Sequence, residues 1–144
     1  MDTVYAGGNV GFSLQIFCPT NQERPYLFKK QRYSQNKIKE VFDSTDLLVV
    51  PSMWKETFGL VVPEALSFGV PVLTTDLVGA KDLIMDNECG YCLAPDKEIF
   101  VKTIESILSD REQLTKCNKN ILVQKFDFNF QSHCEKLLEL YQES

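Results

Sequence analysis

Apolar residues along this chain come in short unbroken runs, separated by longer segments in which they recur every third or fourth position. The first run, residues 12–18 (FSLQIFC), predicts a buried strand ended by the turn-forming Pro19-Thr20-Asn21. Residues 26–29 predict a second short strand. Ser34-Gln35-Asn36 then opens a helix through Asp43, with Ile38, Val41 and Phe42 on its buried face. Residues 47–50 (LLVV) read as a strand closed by Pro51-Ser52, and residues 60–68 as a short apolar helix stopped by Gly69, with Pro71 just beyond. A strand at 72–75, a helix at 78–85 and a strand at 90–93 follow. Asp96 is a good N-cap for a helix running to about Leu108, with Phe100, Ile104, Ile107 and Leu108 on one face. Two further amphipathic segments, 114–123 and 130–141, fill the tail.

Short apolar strands alternating with helices predict an α/β fold: a Rossmann-like parallel sheet with helices on both faces. The 144 residues fit one domain, and neither a repeat nor a low-complexity tract divides them. In such sheets ligands sit outside the carboxyl ends of the strands. That directs attention to the loop after residues 47–50, which holds the most unusual residues in the chain.

Charge and composition narrow the function classes. The chain is 44% hydrophobic and 24% charged, ordinary globular usage, with a net charge of −5. A nucleic-acid partner is not expected, because phosphate backbones are held by clustered Lys and Arg. No run reaches the ~18 apolar residues that a membrane span needs, and the N-terminus lacks a secretory h-region. Five cysteines, an odd number, then point to reduced thiols in a cytoplasmic setting.

The loop and the helix after it read Pro51-Ser52-Met53-Trp54-Lys55-Glu56-Thr57-Phe58-Gly59-Leu60-Val61-Val62-Pro63-Glu64. Gly59 removes a side chain where a diphosphate would approach the backbone. The helix start offers unpaired N–H groups and the positive end of its dipole. Pro63 falls in the first helical turn, where its missing N–H costs little. Glu56 and Glu64 flank this anion site, and an acid beside a diphosphate is repelled unless it has another task. Accepting hydrogen bonds from sugar hydroxyls is such a task, because a carboxylate accepts at two oxygens.

These residues resemble a known family. The stretch PSMWKETFGLVVPEALSFGVPVLTTDLVGAKDLI is similar to the signature of the group 1, glycogen-synthase-like retaining glycosyltransferases of the GT-B fold. Glu56 and Glu64 match the family's two spaced acids, Phe58-Gly59-Leu60 its diphosphate turn, and Gly69, Pro71 and Val72 its next helix-to-strand turn. The likeness runs from about Tyr26 to Pro95 and weakens toward Leu108. It implies a C-terminal donor-binding domain, with Glu56 as the catalytic and sugar-binding acid and Glu64 on the ribose. Thr57, Phe58, Gly59, Leu60 and Val61 would line the diphosphate, and the base would rest near Lys30 and Ile38. It implies no metal and no cofactor. The partners would be a nucleotide diphosphate sugar and, through a separate acceptor domain, a glycan or lipid-linked acceptor. A cytoplasmic enzyme of polysaccharide biosynthesis, peripherally associated with the inner membrane face, is the corresponding expectation.

The chain also departs from that pattern. The family's upstream Arg and Lys, which clamp the diphosphate, are not recognisable in residues 1–11, and Lys29, Lys30 and Arg32 lie elsewhere in the pattern. Asp82 stands where a Glu is more usual. The expectation is therefore a single donor-binding domain over 1–144 that lacks its first strand–helix unit and its acceptor domain, and is inactive alone. A stand-alone nucleotide-sugar-binding or interaction module without turnover is the competing reading.

Blander roles stand beside several residues. Taken alone, Glu56 reads as a solvated loop acid and Glu64 as a first-turn acid favoured by the helix dipole. Trp54 reads equally as a pocket-mouth residue or a partly buried anchor for the loop. Cys89-Gly90-Tyr91-Cys92 has redox-like spacing but feeds a strand rather than a helix N-terminus, so Cys92 is expected in the core and Cys89 in a turn. Phe126, Phe128 and Phe130 either pack on this domain's own sheet or cover surface meant for another domain.

Overall fold

The computed structural model of this chain describes residues 4–6, 14–16, 27–29, 35–86, 88–124, 126 and 130–142. Its strands are β1 (Val4–Ala6), β2 (Leu14–Ile16), β3 (Leu27–Lys29), β4 (Leu47–Val50), β5 (Val72–Thr75) and β6 (Gly90–Leu93). They form one sheet in the order β3-β2-β1-β4-β5-β6. The half that carries the candidate site, β4-β5-β6, is wholly parallel, with Val49 opposite Leu73 and Leu73 opposite Tyr91. β2 and β3 are also parallel.

One strand was not expected. β1 runs antiparallel to both β2 and β4 and joins the two parallel halves. The connection from Ala6 to Leu14 is too short for the crossover of about a dozen residues that a parallel neighbour needs, so β1 and β2 pair antiparallel.

The helices are α1 (Ile38–Asp43), behind a 3-10 turn at Gln35–Lys37, then α2 (Val61–Ser67), α3 (Lys81–Met85), α4 (Lys97–Ser109), α5 (Glu112–Gln124) and α6 (Phe130–Gln142). Successive residues of a strand face opposite sides of the sheet, and in β4 and β5 both sides are buried. On one side Leu48, Val50 and Val72 pack with Phe42 of α1, Val62 and Leu66 of α2, Ile84 of α3 and Ile121 of α5. On the other side Leu47, Val49 and Leu73 pack with Phe100 and Ile107 of α4. Covered on both faces, the parallel strands leave their carboxyl ends as the open edge of the layer.

Asp96 caps α4 as its residue type predicts, its carboxylate accepting from the N–H groups of Glu98 at 2.8 Å and Ile99 at 3.0 Å. Leu108 is not on the buried face but exposed. At 3.6 residues per turn it lies about 80° around the helix from Phe100, whereas Ile104 and Ile107 lie within about 40° of it. The cysteine pair is also reversed: Cys89 is fully buried in the core, and Cys92, on β6, is half-buried. Phe126 packs against the core of its own domain. Phe128 and the side chain of Phe130 lie outside the described residues.

Candidate functional site

Strand β4 delivers the chain to the carboxyl edge of the sheet, and there two clips shape the following loop. The first comes from β5: Thr75 Oγ1 donates to the carbonyl of Ser52 at 2.8 Å, one position beyond Thr74 Oγ1 and the carbonyl of Val50 at 3.2 Å. Both threonines are fully buried, and the Thr75 hydroxyl extends the β4–β5 pairing past Val50 and Thr74, the last pair of the backbone ladder. The second clip is a short parallel bridge between Glu56 and Val78. In it the Glu56 N–H donates to the Leu77 carbonyl at 3.0 Å and the Gly79 N–H to the Glu56 carbonyl at 3.2 Å. Ala80 N–H adds a bond to the carbonyl of Phe58 at 2.7 Å.

Between the clips, Met53 and Trp54 bulge into solvent, with Trp54 58% exposed. Pro51, Met53 and Thr75 form one wall of an apolar groove of about 400 Å³, closed by Pro95, Phe100 and Val101. That groove does not include Glu56 or Gly59.

After the second clip the backbone turns sharply into α2. Gly59 has φ of 85°, in the left-handed region that favours glycine. Its carbonyl accepts the first bond of the helix, from Val62 N–H at 3.0 Å, and the carbonyl of Leu60 accepts from Glu64 N–H at 3.2 Å. Among the described residues nothing accepts a hydrogen bond from the N–H of Gly59, Leu60 or Val61. Thr57, Phe58 and Leu60 are exposed, Leu60 to 70%, while Gly59 and Val61 are buried. This turn has the form of an anion cradle, with backbone donors at the positive end of a helix.

Glu56 and Glu64 stand on either side of the turn, both half-buried. Ser52 Oγ donates to Glu56 Oε1. Glu56 Oε2 is buried and has no hydrogen-bond partner among the described residues. It lies against the turn, 3.3 Å from where a β-carbon on Gly59 would sit. A buried carboxylate oxygen without a donor is costly, so its partner is to be sought in a ligand. Glu64 occupies the first turn of α2, where its charge complements the helix dipole.

The sequence-predicted residues 56–61 and Glu64 are thus brought together at one edge. Ile38 opens α1 and is half-buried against the core on the same side of the sheet as α2. Lys30 lies outside the described residues. Two contacts escaped the sequence reading, that of Ser52 with Glu56 and that of the Val78-Gly79 pair with the same loop. Their signal was faint: a serine after the strand's closing proline, and a glycine where the next loop begins. Among the described residues no cluster of three or more His, Cys, Asp or Glu is placed to hold a metal ion, and no helix is long and apolar enough to cross a membrane.

Comparison with known proteins bears on the family and the fold. The family described as "Glycosyl transferases group 1" matches residues 26–123. A D-inositol 3-phosphate glycosyltransferase of Nocardia farcinica is 29% identical over 106 residues, covering 73% of this chain and 23% of that protein. A sucrose-phosphate synthase structure from Thermosynechococcus elongatus superposes with a TM-score of 0.69 at 26% identity, over 82% of this chain and 30% of that one. The structure of WaaG, a glycosyltransferase involved in lipopolysaccharide biosynthesis, gives 0.68 at 24% identity, over 81% and 31%. The matched region spans between 8% and 26% of the length of the curated relatives it resembles.

Proposed function

Because this chain belongs to the group 1 glycosyl transferases, we propose that it is the donor-binding portion of a retaining hexosyltransferase. The donor is a nucleotide diphosphate sugar. The acceptor, a glycan or a lipid-linked sugar, is bound by another part of the whole enzyme, which works in the cytoplasm and at the inner membrane face. The observation that carries this reading is the Oε2 of Glu56, buried beside the Gly59 turn with no partner among the described residues. A sugar hydroxyl would supply the donor that this oxygen lacks.

In this reading the N–H groups of Gly59, Leu60 and Val61 take the diphosphate, with Thr57 and Phe58 along its edge. They stabilise the negative charge that grows on the leaving diphosphate as the glycosidic bond breaks, which is worth most where donors are fixed beforehand. Glu64, one helical turn on, takes the ribose hydroxyls. Lys30 and Ile38 flank the base. Glu56 fixes the transferred sugar and favours the positive charge developing on it. This chain alone binds donor weakly and does not turn it over.

A thermal-shift panel tests the reading. UDP, GDP and ADP, each with and without a hexose, are added to the chain at millimolar concentration. A ligand at ten times its dissociation constant stabilises the fold by about 1.4 kcal/mol, so at least one nucleotide family should raise Tm visibly. A flat response to all six overturns the proposal.

A further inference from the structure

Glu56 does not aim itself. Its carboxylate can rotate about its last bond, yet its two oxygens are in different states: Oε1 accepts from Ser52 Oγ, while Oε2 is buried against the Gly59 turn without a partner among the described residues. Ser52 is only 7% exposed, its hydroxyl is taken up by Glu56, and its carbonyl is held by Thr75 Oγ1 at 2.8 Å. The serine is therefore anchored from β5 and points its one hydroxyl proton at the acid. We infer that Ser52 is a positioning residue, which fixes the carboxylate plane of Glu56 so that Oε2 faces the ligand, and does so without touching the ligand itself. The inference rests on the donor-binding role proposed for Glu56.

Two physical consequences follow. With the hydroxyl donated to Oε1, that oxygen is satisfied within the protein and only Oε2 seeks a donor, which prepares the acid for one hydroxyl in one direction. Without the hydroxyl, both oxygens compete for donors and the carboxylate turns freely, so a ligand must order it on binding. The hydrogen bond from Thr75 Oγ1 to the Ser52 carbonyl does not depend on the serine side chain. Ser52→Ala should therefore keep the loop anchored and the protein folded.

The test is a double-mutant cycle by calorimetry on the full chain, using UDP-glucose, GDP-mannose and ADP-glucose with UDP, GDP and ADP as their sugar-free controls. In the pair that binds the unsubstituted chain, Ser52→Ala should weaken the nucleotide sugar by about tenfold or more, the scale of one lost hydrogen bond to a charged group. The sugar-free nucleotide should bind unchanged. Ser52→Thr, which retains the hydroxyl, should recover most of the loss. In a Glu56→Ala background the serine substitution should have no further effect, because a residue that acts only through another is silent once that other is gone.

Additive losses in the double variant would overturn the inference, since they would mean that Ser52 contacts the ligand or acts through the general fold. So would equal weakening of both ligands, or a Ser52→Ala chain that binds like the unsubstituted one. If the unsubstituted chain binds none of the six compounds, it is the donor-binding reading that fails. A sugar-selective loss in Glu56→Ala without one in Ser52→Ala leaves that reading intact and removes the role of Ser52.

Discussion

Gly59 and Val78 are in such close contact that a β-carbon on the glycine would lie 2.7 Å from Val78 Cγ1. The same atom would stand 3.3 Å from Glu56 Oε2, and the backbone there has φ of 85°. The turn into α2 thus exists only because position 59 carries no side chain. Close approach of two loops, rather than turn geometry alone, sets this requirement. Gly79 makes a similar one from the other side, where a β-carbon would meet the Thr57 carbonyl oxygen at 2.1 Å.

Gly59→Ala is therefore expected to lower stability and to damage the anion cradle together. The left-handed conformation alone costs a residue with a β-carbon roughly 1–2 kcal/mol, and the contact with Val78 adds to it. Chemical denaturation should show a fall of at least about 1 kcal/mol, a drop in Tm of a few degrees. Nucleotide diphosphate affinity should fall further than the stability loss explains. Unchanged stability would mean that the turn adopts another conformation in solution.

The cysteines give a prediction independent of any ligand. Burial, with a smaller contribution from the neighbouring Cys117, pushes the Cys89 thiol from its ordinary 9.0 up to about 11. The thiol is the uncharged form, so a raised value means that the folded state keeps its proton where the unfolded chain has lost it. This contribution to stability is complete below pH 9 and declines as pH climbs from about 9 toward 11. Cys89 should resist iodoacetamide at pH 8 in the native chain and react readily in denaturant. Peptide mapping after alkylation reads this directly; rapid native labelling of Cys89 would show that the core around it opens.

Much of the site-bearing half was legible in the residues, for reasons visible in particular elements. Strands β4, β5 and β6 fall on the expected residues because LLVV, VLTT and GYCL are short runs bounded by proline, glycine or a turn. The helix expected at 78–85 begins instead at Lys81, because Val78 is taken into the bridge with Glu56. That pairing joins two loops, and no local pattern announces it. The contact of Ser52 with Glu56 has helix-like spacing in a segment that is not a helix, so loop conformation alone creates it. β1 has too few residues for periodicity to register, and its direction depends on a neighbouring strand and a short connection.

The division of labour between the two acids is the claim on which the account turns, and calorimetry on Glu56→Ala and Glu64→Ala tests it most directly. Each variant is titrated with a nucleotide diphosphate and with the corresponding nucleotide sugar. Glu64→Ala should weaken both ligands, by about 1.5–3 kcal/mol for lost charge-assisted hydrogen bonds, because both carry a ribose. Glu56→Ala should leave the sugar-free nucleotide unaffected, or slightly tighter once a repelling charge is removed. It should weaken the nucleotide sugar, and in the whole enzyme lower turnover most of all. Equal weakening of both ligands by Glu56→Ala, or no weakening of either by Glu64→Ala, would contradict the account.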